Sequence, residues 1–109
     1  KLQNFSYKET VLWSGRSNTL GVKTMTESIW NFDAIHCVAD YTEPYNYISS
    51  TVPTSVMKYY KDEKIYKNGY IPLISSDVTQ IYFITDDGIN LDFKMMTKSS
   101  IIKIIGIKF

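Results

Sequence analysis

Cysteine, proline, glycine and the strong helix formers are all scarce in this sequence of 109 residues. Its one cysteine, Cys37, cannot form an intramolecular disulfide, which excludes a disulfide-rich secreted module. Alanine and leucine, which favour helices, are few, whereas isoleucine, valine, threonine and tyrosine are common. The composition therefore favours strands, and the length predicts one domain, 1–109, with a core of its own.

Net charge is also nearly absent, because 12 basic and 11 acidic side chains leave +1 at pH 7. The basic residues are scattered, so composition makes no case for electrostatic capture of nucleic acid or of an anionic membrane. No stretch approaches the roughly 20 apolar residues of a membrane span, and the N-terminus lacks a signal-peptide pattern. We therefore expect no nucleic-acid partner and no membrane insertion.

Short apolar segments separated by turn residues recur through the chain, about one every ten residues. The clearest is 89–95, where strict alternation predicts that Ile89, Leu91, Phe93 and Met95 share one face of a strand. No segment keeps a sustained helical period. Further strands are predicted at 5–13, 20–25, 34–41, 47–52, 55–60, 78–85 and 101–107, with a turn at 14–18, one helical turn within 27–33, a hairpin at Asn68-Gly69, an edge position at Pro72 and a bulge or close approach at Gly106. The sequence thus predicts an all-β antiparallel β-sandwich, of which a jelly roll is one form.

Patterns for catalysis or metal binding are missing. His36 and Cys37 are neighbours on a predicted strand, so their side chains point to opposite faces and cannot act together as base and nucleophile. Cys37 is expected to be a small apolar core residue. The run Asp86-Asp87-Gly88 is typical of a turn rather than of a calcium loop. Four carboxylates that a fold could bring together as a hydrolase pair are Asp40, Glu43, Asp62 and Asp86, but their spacing indicates nothing. We expect no enzymatic activity, no metal and no cofactor.

Tyrosines are concentrated around two loops, one flanked by Tyr41 and Tyr47 and the other by 59–66. An exposed tyrosine offers a flat ring and a hydroxyl, which suit sugar stacking or a protein interface. The alternative is packing in the core or across strands, which is favoured for any single tyrosine. For the first loop the two interpretations stand about even, and the predicted ligand-binding residues are Tyr41, Tyr45, Asn46 and Tyr47.

Two segments near the ends of the chain carry a recognisable pattern. The first is Thr10-Val11-Leu12-Trp13-Ser14-Gly15, followed by Ser28-Ile29-Trp30-Asn31-Phe32-Asp33-Ala34-Ile35, and the second is Ile102-Lys103-Ile104-Ile105-Gly106-Ile107-Lys108. Together they resemble the C-terminal domains of bacteriophage tail-fibre and tailspike receptor-binding proteins. The middle of the chain, about 41–76, matches nothing in that family.

The resemblance implies a β-sandwich at the tip of a fibre, usually a homotrimer, that binds a host cell-surface glycan, assembles the trimer, or both. It implies a place in the virion after synthesis in the host cytoplasm, and the start at Lys1 rather than Met is expected of a C-terminal fragment of a longer fibre protein. Three weak sugar sites on one tip would gain avidity from being linked. Sugar hydroxyls would bond Asn46, Asp62, Asn68 or Asp87. The alternatives are a monomeric carbohydrate-binding module of a bacterial enzyme and a small hydrolase.

Overall fold

Two antiparallel four-stranded sheets pack together as a β-sandwich in the computed structural model, which describes residues 7–41 and 46–109. One sheet has the strand order β1-β8-β3-β4 and the other the order β2-β7-β6-β5. The predicted fold class is therefore confirmed. The strands are β1 (Lys8–Ser17), β2 (Gly21–Thr24), β3 (Ala34–Tyr41), β4 (Tyr47–Pro53), β5 (Ile71–Ser75), β6 (Gln80–Ile84), β7 (Asn90–Met96) and β8 (Ser99–Lys108).

The connections are only partly those of a jelly roll. β1, β2 and β3 alternate between the two sheets, as do β7 and β8. In the middle of the chain, however, β3 and β4 form a local hairpin in one sheet, and β5, β6 and β7 follow one another as a meander in the other. The crossing between sheets there is made once, by the connection from β4 to β5.

The core lies between the two sheets. Phe83 and Phe93 pair across β6 and β7 with ring centroids 5.7 Å apart, and both are almost completely buried. Leu12, Ile35 and Ile104 meet them from the other sheet. Burying one such side chain contributes about 1.5–3 kcal/mol, so this layer supplies most of the favourable free energy of folding.

The segment 55–60, predicted as a strand, is instead the helix α1 (Thr54–Glu63). Its valine and tyrosines favour strands locally, but Val56 and Tyr59 point to solvent and only Met57 is fully buried. α1 joins β4 to β5, each an edge strand of its own sheet, and Met57 fills the gap at that side of the core. Tertiary packing of a single residue therefore overrides local propensity.

The Asn68-Gly69 pair does not form the predicted hairpin. Both residues have left-handed backbone angles, with φ of 65° and 73°, as such a hairpin would need. They close a 3-10 turn (Lys67–Gly69) instead, in which the Gly69 N–H donates to the Tyr66 carbonyl. The reason is that β5, which starts at Ile71, pairs with β6 and leaves 65–66 without a strand partner. Pro72 lies in this edge strand, as predicted.

Two further expectations are wrong in detail because the strands are irregular. The predicted turn at 14–18 falls mostly inside β1, whose pairing with β8 shifts register between Ser14 and Ser17. In β7 a bulge after Phe93 leaves Lys94 without a direct partner, so Met95 pairs with Tyr82 and it is Met96 that packs against the core. One extra residue in a strand moves the side chains that follow it to the opposite face of the sheet.

The segment Ser28–Asp33 packs on two glycine backbones. A methyl group at Gly106 would lie 2.6 Å from the ring of Phe32, and one at Gly88 would lie 2.7 Å from Trp30. Ile29, between them in sequence, is completely buried, and its N–H donates to the Gly88 carbonyl. The single helical turn expected here is present as a 3-10 turn (Ile29–Asn31). Gly106 is therefore the close approach that the sequence indicated.

Gly106→Ala is expected to lower the free energy of unfolding by about 1–3 kcal/mol, because the added methyl group overpacks the Phe32 ring. Denaturant unfolding of the wild type, both single variants and the Gly106→Ala/Phe32→Leu double variant measures this. Because leucine is smaller than the ring, the cost of Gly106→Ala should fall in the Phe32→Leu background. The same cost in both backgrounds would contradict the contact.

Candidate functional site

The predicted tyrosine site lies where β3 meets β4. Tyr41 ends β3, is half-buried and donates its backbone N–H to the Asn46 carbonyl at 2.7 Å. Asn46 is exposed, and Tyr47, the first residue of β4, is 70% exposed. Tyr45 lies outside the described residues. Three of the four predicted residues are thus neighbours, and the ring of Tyr47 is open to solvent.

The other predicted sugar ligands lie elsewhere. Tyr41 pairs with Ser99 at the end of the sandwich where β7 passes into β8. Asn68 and Asp87 lie at the opposite end, beside the turn from β6 to β7, and Asp62 is exposed on α1. Asn46 therefore cannot share one small ligand with Asn68 or Asp87.

The second group of tyrosines packs mainly against itself. The rings of Tyr60 and Tyr66 stack with centroids 5.3 Å apart, and Tyr66 meets Tyr82 edge-on at 5.1 Å. A hydrogen bond to the Tyr82 hydroxyl is the main cause that raises the pKa of Tyr66. The Tyr82 hydroxyl also shares a hydrogen bond with Ser75 at 3.2 Å. The packing interpretation thus holds for these rings, while Tyr59 remains 58% exposed at the margin of the cluster.

A polar cleft of about 320 Å³ adjoins this cluster on the outer face of the second sheet. One wall is the end of α1 and the 3-10 turn that follows it, and the other is the outer side of β6, β7 and their turn. Tyr82 and Ile84 project from the same face of β6, which places the tyrosine cluster beside the cleft. The residues that line the cleft are Lys61, Lys64, Asn68, Gly69, Ile84, Thr85, Asp86, Asn90 and Asp92.

Some polar groups of the cleft are already bonded within the protein. The Thr85 hydroxyl donates to the Asn90 carbonyl at 2.8 Å and accepts from the Gly88 N–H at 2.9 Å. The Asn90 side chain accepts from Thr24 and donates to Asp87. The Asp92 carboxylate pairs with Lys94 at 2.9 Å. These groups shape the cleft, and binding a ligand through them would first break an existing bond.

Four lining side chains have no hydrogen bond or ion pair within the part of the chain that the structure describes: Lys61, Lys64, Asn68 and Asp86. Two are cations, one is an anion and one is an amide. Together they supply hydrogen-bond donors and acceptors to one cleft, and a ligand could bind them without breaking hydrogen bonds within the protein. This set is the best candidate binding site in the described residues.

The turn that carries Asp86 is held by its neighbour. The Asp87 carboxylate accepts from the N–H groups of Ile89 and Asn90 at 2.8 and 2.9 Å. These two bonds, Asn90 first, lower the pKa of Asp87. Asp86-Asp87-Gly88 is therefore a turn, as predicted. The Asp87 carboxylate already accepts hydrogen bonds within this turn, so it is not a free group for a ligand.

The nucleophile and base candidates are separated as the sequence predicted. Cys37 is completely buried, and burial raises the pKa of its thiol to about 12, so the thiol stays protonated at neutral pH. His36, half-buried, faces the other side of β3 and shares a 2.7 Å hydrogen bond with Thr51. Cys37 is thus a core residue.

Of the four carboxylates predicted as a possible hydrolase pair, the three within the described residues lie in different places. Asp40 pairs with Arg16 and accepts from the Ser100 N–H at the far end of the sandwich. Asp62 is exposed on α1, Asp86 lines the cleft, and Glu43 lies outside the described residues. Across 7–41 and 46–109 no three His, Cys, Asp or Glu side chains are grouped to hold a metal ion. No helix in these ranges is long and apolar enough to cross a membrane.

No protein-family model matches the chain, and no curated protein matches it either.

Sequence reasoning indicates only two of the four free cleft residues: Asn68, as a sugar ligand and part of a hairpin, and Asp86, as part of a turn or of a carboxylate pair. It gives no role to Lys61, which follows the strand predicted at 55–60, or to Lys64, since α1 was not predicted. The one available signal was the charged run that ends α1, at 61–64, followed shortly by Asn68-Gly69. Nothing in the sequence indicates that this run faces the β6–β7 turn.

The stability that Asp87 contributes should depend on acid pH. Its pKa is lowered in the folded chain, so its contribution is present above the ordinary value of 3.8 and is lost as the pH falls through the folded value. Asp87→Asn removes the charge, so the difference in melting temperature from the wild type should be largest near neutral pH and shrink in acid. Thermal unfolding across that range measures this. Asp77→Asn is the matched control, because Asp77 is exposed and accepts no such hydrogen bonds in the described part of the chain. If the difference in melting temperature between Asp87→Asn and the wild type did not change with pH, the charge of Asp87 would not be what stabilises the turn.

Proposed function

We propose that this chain is the C-terminal domain of a bacteriophage tail-fibre or tailspike receptor-binding protein, and that it binds a host-surface glycan without catalytic turnover. The observation that carries glycan binding is the polar cleft with its four unbonded side chains beside a tyrosine cluster. Sugar sites combine aromatic surface with a few converging hydrogen-bonding groups. The exposed ring of Tyr47, at the start of β4, is a second aromatic surface.

The contacts between the two end segments support the phage resemblance. Phe32 of the first segment packs on Gly106 of the second, and the Asp33 N–H donates to the Ile107 carbonyl at 2.8 Å. The Asp33 carboxylate accepts from the Phe109 N–H at 2.7 Å. Patterns that lie about seventy residues apart thus belong to one structural unit, as expected of a shared domain rather than of two chance similarities.

A homotrimer at the tip of the virion fibre is part of this proposal. Single sugar sites of this size bind weakly, and three of them held together gain avidity without new contacts. The monomeric carbohydrate-binding module remains the alternative, since it shares the sandwich and the aromatic surfaces. A small hydrolase is favoured by one observation, namely that Asp86 and Asp92 line the same cleft.

Glycan binding is tested by screening the domain, displayed in several copies per particle, against host-envelope and capsule polysaccharides. We expect retention on at least one polysaccharide, and a loss of about tenfold or more for Asn68→Ala/Asp86→Ala, because each lost hydrogen bond costs about 0.5–1.5 kcal/mol or more when charged. Tyr47→Ala tests the loop in parallel. Binding lost only with Tyr47→Ala moves the site to the loop, and retention on no polysaccharide contradicts the proposed function. Release of reducing ends that stops in Asp86→Asn would favour the hydrolase.

The trimer is tested by light scattering of the domain across a range of concentrations. A molar mass three times that of the 12.6 kDa chain is expected of the fibre domain. A monomer at every concentration, in a preparation that still binds glycan, would favour the carbohydrate-binding module. Gly106→Ala is the control, because it destabilises the fold. Its light scattering shows how loss of folding, rather than loss of assembly, changes the molar mass.

A further inference from the structure

Three lysines lie on α1 or directly after it, and two of them border the cleft. Lys58 and Lys61 are three residues apart on α1, and Lys64 follows the last helical residue, Glu63. The first is over the ring of Trp30, with its ammonium nitrogen 5.9 Å from the centroid. Lys61 and Lys64 line the cleft and have no such partner in the described residues. Two like charges that share one cleft repel each other unless something neutralises them.

The opposite wall does not supply that neutralisation. Its two carboxylates are Asp86 and Asp92, and Asp92 is held by Lys94 at 2.9 Å. Asp86 has no ion pair with either cleft lysine. Two unpaired ammonium groups therefore share the cleft with one unpaired carboxylate, although the chain as a whole is close to neutral.

The backbone at Lys64 carries a second, independent observation. This residue ends α1 in the left-handed region, with φ of 49° and ψ of 48°. Glycine is the usual residue at such a helix end, since a side chain there costs about 1–2 kcal/mol. The attraction between the helix dipole and a basic residue explains a lysine at 61, in the last turn, but does not require one in the strained position. A cost of this kind is typical of functional positions.

We propose that the cleft binds an anionic saccharide unit, with Lys61 and Lys64 contacting its carboxylate or phosphate group, and Asn68 and Asp86 bonding its hydroxyls. This inference rests on the proposed glycan binding at the same cleft. Lysine ammonium groups bind such anions as point charges. Because charges are screened beyond about 8 Å at physiological salt, the attraction is local to the cleft and does not depend on net charge.

The test compares neutral and anionic polysaccharides on the same purified domain. Immobilised dextran is the neutral probe, alginate supplies carboxylates and phosphomannan supplies phosphates, with binding followed by interferometry at low and physiological salt. We expect binding to at least one anionic probe, weakened about tenfold by each of Lys61→Gln and Lys64→Gln. Asp86→Asn should strengthen charge-driven binding to the anion, since it removes the opposing charge of the cleft. Comparison of alginate with phosphomannan identifies which anion is preferred.

Lys103→Gln, on β8 in the other sheet, makes the same change of charge away from the cleft and is the matched control. An equal loss of binding in Lys103→Gln would overturn the inference, because it would indicate attraction by overall charge. Binding to dextran alone, unchanged by Lys61→Gln and Lys64→Gln, would overturn the anionic preference and leave glycan binding standing. Retention on none of the probes, nor on any polysaccharide of the wider screen, would reject both. Thermal unfolding of each variant confirms that the fold is retained.

Discussion

The segment Ser28–Asp33 packs directly against the backbone of two glycines, Gly88 and Gly106, and the other contacts at this end of the sandwich depend on that packing. Neither Gly88 nor Gly106 can carry a side chain while this segment lies where it does, because a methyl group at either would meet Trp30 or Phe32 well inside van der Waals contact. The segment thereby touches the turn between β6 and β7 in one sheet and the end of β8 in the other. It closes that end of the sandwich as a plug, with one backbone hydrogen bond to each sheet: the Ile29 N–H donates to the Gly88 carbonyl, and the Asp33 N–H donates to the Ile107 carbonyl.

The cleft depends on the same plug, because both of its walls are tied to it. At the start of α1, the Thr54 hydroxyl donates to the Phe32 carbonyl at 2.6 Å and the Thr54 N–H to the Asp33 carbonyl at 2.9 Å. On the other side, the Ser28 hydroxyl donates to the Asp87 carbonyl at 3.0 Å. The lysine wall and the Asp86 wall are therefore positioned by adjacent parts of one segment, anchored by the buried side chains of Ile29 and Phe32. Such anchoring gives a site built on loops a defined geometry.

Sequence reasoning succeeds where local pattern and tertiary packing agree, and fails where packing has to decide. The alternation along β7 as far as Phe93 and the spacing of turns were enough to predict the sandwich, because an alternating strand has only one way to bury its apolar face. The helix α1 was not predictable, since one buried side chain, Met57, carries its packing and its neighbours favour strands. Likewise, Asn68-Gly69 has the backbone angles of a hairpin, yet its flanks lack a partner strand.

The sequence predicts the site at Tyr41–Tyr47, which stays a prediction. The second group of tyrosines is already engaged within the protein, because Tyr60 and Tyr66 pack against each other and against Tyr82, so these rings mostly stabilise the fold. The groups left free lie at the end of α1 and just after it on one side of the cleft, and in the β6–β7 turn on the other. No periodicity of the sequence could pair these two segments. Lys64 holds a left-handed backbone angle there, fixed before any ligand arrives. The lysine side chains must still be ordered on binding, at a cost of up to about 2 kcal/mol each, so the affinity of this cleft depends on the charge-assisted hydrogen bonds that they form with an anion.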